Sequence, residues 1–145
     1  MDLERFKKIL GETIVLYQLI EYDLRIIYAG ILKGNFDDNL ELAFDNRKIS
    51  GLGTIIKMLE KLDFSDNKPY LSKQDYKLLK DLAEDRNYFC HQCARDFMYE
   101  KNTNKLENKF NSVFNKLLNA YNGLDDLHIQ VEKIRIDILR RLNRI

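Results

Sequence analysis

Residues 84–97 read EDRNYFCHQCARDF, and Arg86, Asn87 and His91 are residue types that handle phosphate esters. A histidine takes up and returns a proton near neutral pH. A guanidinium beside it holds a phosphate and offsets charge building in a transition state. Asn87 would orient either group or hydrogen-bond a ribose. Such a set suits cleavage of RNA without a metal: the 2′-hydroxyl is deprotonated, attacks the adjacent phosphate, and leaves a cyclic phosphate. No carboxylates stand at metal-ligand spacing, which favours the metal-free form, and neither a metal nor an organic cofactor is expected. From spacing alone, the same Arg and His also read as a salt-bridged residue and a surface residue.

The stretch lies in a run with helical spacing. On a wheel of about 100° per residue, Leu82, Phe89 and Cys93 cluster and Arg86 falls among them. Asn87 and His91, four apart, share the neighbouring polar edge. A guanidinium buried without a partner is costly, so Arg86 requires a carboxylate, a subunit boundary or an anionic ligand. Glu21 and Asp23 are the candidate carboxylates. Glu21 is the better one because it borders the apolar stripe beside Tyr17, Leu24 and Tyr28. Tyr88 faces away from the core stripe, where it would stack on a base, and Arg95 is a second candidate RNA contact.

The elements that must position these groups are all helical. Residues 3–32 carry apolar residues in steps of three and four, which predicts a long amphipathic helix ended by Gly34, with GNFDDN as a loop. A second helix is expected over about 50–62, where Gly51 and Gly53 would allow close packing and do not match a phosphate-binding loop. Ser72 with Asp75 approximates a capping box and opens a third helix over about 72–99. Its inward stripe is Leu78, Leu79, Leu82, Phe89, Cys93 and Phe97. A fourth begins near Thr103 and stops or bends at Asn122-Gly123. Beyond it, Leu124 to Leu142 step like a coiled-coil seam. The expectation is one all-α domain over residues 1–145. It is a bundle of four to five helices with a long first helix and a long C-terminal helical segment.

Composition agrees with such a body. The chain has 145 residues, 45% apolar and 32% charged, with a formal charge of +1, so any nucleic-acid binding must use a local patch. No window has the roughly 18 uninterrupted apolar residues of a membrane span, and MDLERFKKIL lacks a signal-peptide pattern, so a cytoplasmic location is expected. Cys90 and Cys93 lack the partners of a zinc site and the histidine of a haem attachment, and read as two small buried residues far into a helix. His128 reads as an interfacial or surface histidine. Arg135, Arg140, Arg141 and Arg144 make the last helix basic, either as a solvated face or as a phosphate track.

Arg86-Asn87-Tyr88-Phe89-Cys90-His91 resembles the Arg-Asn-x-x-x-His signature of the HEPN (higher eukaryotes and prokaryotes nucleotide-binding) superfamily. The surroundings are similar too: a long first helix with an internal acid comparable to Glu21, a second helix opening with Leu52-Gly53, and a long helix after the motif. The resemblance covers at least residues 10–121. It implies an all-helical, HEPN-like homodimer whose two motifs meet in one ribonuclease site. Arg86 and His91 would then be catalytic, Asn87 supporting and Glu21 a softer correspondence. It further implies a role as a toxin or in phage defence, with a nucleotidyltransferase antitoxin as a partner in some relatives. That subgroup carries Tyr two residues after the histidine, where this chain has Cys93. A silent HEPN module that binds nucleotide, RNA or a partner protein is the alternative. An accidental match predicts an Arg86 that is simply salt-bridged internally.

Overall fold

The Asp2 carboxylate accepts from the Arg5 amide at 3.0 Å and starts α1 (Leu3–Ile31), whose inward stripe includes Phe6, Tyr17, Ile20, Leu24 and Ile27. A computed structural model describes residues 1–145, and every regular element is a helix. After α1 come α2 (Phe36–Ala43), α3 (Leu52–Asp63), α4 (Lys73–His91), α5 (Arg95–Met98) and α6 (Thr103–Arg141). The bundle therefore has six helices and not four to five, with long first and last members as expected.

The additional helices come from two places. GNFDDN is not all loop: Asn35 accepts from the Asp38 amide at 3.1 Å and caps α2, whose first turn carries Asp37 and Asp38. Asn39 on α2 then donates to Ala29 O at 3.2 Å and Leu32 O at 2.9 Å, tying α2 to the end of α1. The helix expected over 72–99 ends at His91. A turn over Gln92–Ala94 separates it from α5.

The α3–α4 pair is an antiparallel hairpin, with Lys80 reaching Glu60 and Tyr76 reaching Asp63. Buried Asp63 accepts from the amides of Tyr70 at 2.9 Å and Leu71 at 3.1 Å and from the Tyr76 hydroxyl at 2.7 Å. One carboxylate thus satisfies the turn that leads into α4. Ser72 and Asp75 form the full capping box that the sequence suggests.

Helix α6 runs beside α1 in the same direction. Phe6 meets Phe110 and Phe114, Arg135 reaches Asp23 at 3.2 Å, and Ile138 covers Gly30. It runs opposite to α4, as the contacts of Gln130 with Asp75, Gly123 with Leu82 and Lys116 with Asp85 show. Asn122-Gly123 does not stop it: the inward stripe runs on through Ala120, Leu124 and Leu127, and Leu82 Cδ1 packs 3.5 Å from where a Gly123 Cβ would stand. Its 39 residues span about 58 Å at a rise of about 1.5 Å each. At the other end, Phe97 packs edge to face on Phe6 at 5.2 Å and on Phe110 at 5.1 Å, which seats α5 just after the motif.

Three packing expectations are corrected. Gly51 and Gly53 face open space and not a neighbouring helix. Leu78 is 40% exposed, since it lies off the inward side of α4. Cys90 is exposed while Cys93 is buried, and Cys93 lies past the end of α4 and not far inside a helix.

Candidate functional site

Two side chains of α1 fix the place of Arg86 on α4. Tyr17 donates its hydroxyl to Leu82 O at 2.6 Å, one helical turn before Arg86, and so pins α4 to α1. One turn later on α1, Glu21 Oε1 accepts from Arg86 Nη1 at 3.1 Å. Burial pushes the Tyr17 hydroxyl well above the ordinary tyrosine range, so it stays a donor. The pairing of Arg86 with Glu21, preferred in the sequence over Asp23, is the one formed; Asp23 pairs with Arg135.

Glu21 serves a second arginine that the sequence reading passed over. Arg25, one turn further along α1, donates to Glu21 Oε2 at 3.3 Å from Nη2, to Ile49 O at 3.2 Å and to Ala43 O. Asn46 Oδ1 lies at 3.4 Å. The Arg25 side chain is 3% exposed, whereas that of Arg86 is 35% exposed. One carboxylate between two guanidiniums leaves the cluster with an excess of one positive charge. Arg25 is spent on the backbone of the α2–α3 connection. Arg86 makes a single protein hydrogen bond and presents its remaining N–H groups toward solvent. The signal for Arg25 was its place four residues after Glu21, inside the largely apolar LIEYDLRIIY.

Asn87 and His91 lie on the last two turns of α4, and both are exposed with no side-chain hydrogen bond to the protein. They stand about 40° apart around the helix, whereas Arg86 and His91 stand about 140° apart. Within one chain the arginine and the histidine therefore diverge. Cys90, four residues after Arg86, is exposed beside them. Cys93 is buried, donates to Phe89 O at 3.4 Å, and has its thiol pushed up by burial, so it packs as a small apolar residue.

The other predicted contacts are distributed differently. Tyr88 does not offer a free ring: its hydroxyl donates to Asp96 Oδ2 at 2.7 Å, and Lys116 Nζ lies 4.3 Å from the ring centre. Burial and the Asp96 carboxylate raise its hydroxyl far above the usual range. Arg95 is exposed at the start of α5 without a carboxylate partner. His128 pairs with Glu132 at 3.4 Å on α6. Of the C-terminal arginines, Arg135 pairs with Asp23, Arg141 with the Tyr70 hydroxyl and Arg144 with Asp37, while Arg140 is exposed without a carboxylate partner. No three His, Cys, Asp or Glu side chains come together as a metal-holding cluster, and no helix is long and apolar enough to cross a membrane. Comparisons with protein-family models, curated proteins and solved structures return no match.

Proposed function

We propose that this chain is a metal-independent endoribonuclease of the HEPN type, active as a homodimer and serving as a toxin or phage-defence component. One observation carries the reading: Arg86 is oriented by Glu21 yet keeps N–H groups toward solvent, next to an exposed, unpartnered Asn87 and His91. A purely structural arginine accounts for the ion pair. What supports the reading beyond that pair is that Arg86, Asn87 and His91 stand together within the last two turns of one helix, in the Arg-Asn-x-x-x-His order.

The second copy is what the HEPN resemblance implies, and the divergence of Arg86 and His91 around α4 is compatible with it. Two α4 ends facing each other bring the arginine of one chain toward the histidine of the other. An RNA phosphate between them would be held by Arg86, while one His91 takes the 2′-hydroxyl proton. The 2′-oxygen forms its bond to phosphorus, the bond to the 5′-oxygen breaks, and the other His91 protonates that leaving oxygen. The products are a 2′,3′-cyclic phosphate and a 5′-hydroxyl. Glu21 and Asn87 act by holding Arg86 and the ribose in place.

The test is cleavage of a labelled single-stranded RNA in EDTA by wild-type protein and by His91→Ala. Cutting that resists EDTA, leaves cyclic-phosphate ends and disappears in the variant is expected. A folded, dimeric wild type that does not cut would overturn the enzymatic reading in favour of a binding module, for nucleotide, RNA or a nucleotidyltransferase partner.

A further inference from the structure

Beside the motif, on the side away from Glu21, lies a cleft of about 440 Å³ between α4, α5 and α6. Its walls are Tyr88 from within the motif, Asp96, and Lys109, Ser112, Val113 and Lys116 from α6. The lysines and serine recur at i, i+3 and i+7, so one face of α6 presents all three. Lys116 sits over the Tyr88 ring and 3.4 Å from Asp85; Lys109 meets Glu100 at 2.9 Å. Both lysines are about half exposed, and surface ion pairs of this kind exchange readily for another anion.

The face continues beyond the cleft with one chemical character. Between Thr103 and Asn122, α6 carries Lys105, Lys109 and Lys116, six asparagines and Ser112, against the single acid Glu107. Glu107 is already paired with the N-terminal ammonium at 3.3 Å. Lys105, Asn108, Lys109, Ser112, Asn115, Lys116 and Asn119 are all exposed. Ammonium groups spaced along a helix bind phosphates, and the amides and hydroxyl between them donate to and accept from ribose hydroxyls. An acidic peptide would also satisfy the lysines; the sugar–phosphate backbone is favoured because it alternates anionic phosphates with hydroxyls, as this face alternates lysines with asparagines and Ser112.

We infer that the N-terminal half of α6, entered through the Tyr88–Lys109–Lys116 cleft, is the track for the sugar–phosphate backbone of a single-stranded RNA leading into the motif. This rests on the RNA reading of the motif, and it adds Lys109, Ser112 and Lys116 as backbone contacts. Asp96 lines the cleft and opposes an incoming phosphate, as do Glu100 and Asp85 until their lysines exchange them for it.

The experiment uses the full chain as His91→Ala, so that a labelled single-stranded RNA is bound and not cut. Its Kd is measured across a range of sodium chloride concentrations. Lys109→Gln and Lys116→Gln are each expected to weaken binding several-fold at low salt and to reduce the slope of log K against log salt by ~0.7. Asp96→Asn is expected to tighten binding. Lys68→Gln, in the turn before α4 at the far end of α6, is expected to change nothing. Circular dichroism verifies that each variant is folded; Lys109, bound only to Glu100, is the variant with least structural consequence. Salt-dependent binding by the parent with unchanged slopes in both lysine variants would overturn the track and leave the proposed ribonuclease standing. No RNA binding by the parent would overturn both. Poly-glutamate binding as tightly as RNA, through the same lysines, would overturn the choice of RNA as the occupant.

Discussion

Replacing Arg25 with alanine is expected to destabilise the chain far more than replacing Arg86, although both arginines share Glu21. Arg25 is 3% exposed and donates to the carbonyls of Ala43 and Ile49, two residues with no exposed surface. Removing it leaves both carbonyls without that donor, at about 1–3 kcal/mol each, and strips Glu21 of its inner partner. Allowing for partial relaxation, the loss is ~3–5 kcal/mol, the range for breaking a buried ionic cluster. With an unfolding entropy of about 2.1 cal/mol/K per residue, the melting temperature falls by ~10–15 °C. Arg86 makes one 3.1 Å bond from a partly exposed side chain, so Arg86→Ala costs ~0–1 kcal/mol. Urea unfolding followed by far-UV circular dichroism, fitted to two states with a shared m-value, measures both. Equal losses, or an Arg25→Ala protein within about 1 kcal/mol of wild type, would refute the reasoning. The contrast makes Arg86→Ala a clean variant for activity, whereas Glu21→Ala would confound activity with folding.

Other outcomes follow from particular contacts. Gly30 lies where α1 crosses α6: a methyl there would overlap Ile138 Cγ2 and stand 3.6 Å from Ile138 Cβ and 3.8 Å from Leu142 Cδ1. Gly30→Ala is therefore expected to cost ~1–3 kcal/mol in overpacking, offset by about 0.5–1 kcal/mol of helix propensity. Ile138→Ala should recover part of that loss, and strict additivity in the double variant would count against the contact. Asp23, 3% exposed, has its carboxyl held above the ordinary range by burial, against the pull of Arg135 and His128. A raised folded-state pKa means the folded chain binds the proton more tightly, so this contribution is present below the unfolded pKa and lost as pH rises through the folded one. Asp23→Asn should thus gain in melting temperature relative to wild type as pH rises through the acid range; a difference that stays flat with pH would refute this. Two Arg86 side chains meeting across the proposed dimer repel unless an anion lies between them. Sedimentation at matched ionic strength in chloride and in sulfate should show a tighter dimer in sulfate, and an unchanged balance would count against the composite site.

The helices were readable because helical order is local: the apolar residues of α1 and α6 recur every three or four positions, and Ser72 with Asp75 announces α4 within four residues. The Arg86–Glu21 pair was readable for a different reason, since a charge in an apolar stripe demands a neutralising group and few acids border the facing stripe. Helix α2 was missed because eight residues with a polar first turn carry little periodic signal. The end of α4 at His91 was missed because apolar spacing persists through Cys93 and Phe97, which pack into the core from a turn and a short helix. Asn122-Gly123 read as a stop, yet α6 passes through it because the residues on either side, Ala120, Leu124 and Leu127, stay buried on one continuous stripe. Sequence by itself determined an all-helical chain, its long first helix and long C-terminal helical segment, and a helix carrying Arg86, Asn87 and His91. Only tertiary structure decided that Arg25 is buried, that Tyr88 is held by Asp96 and Lys116, and that α6 offers its lysines beside the motif. Each of these joins residues distant along the chain or set by a turn, and the local helical period carries no information about which faces will meet.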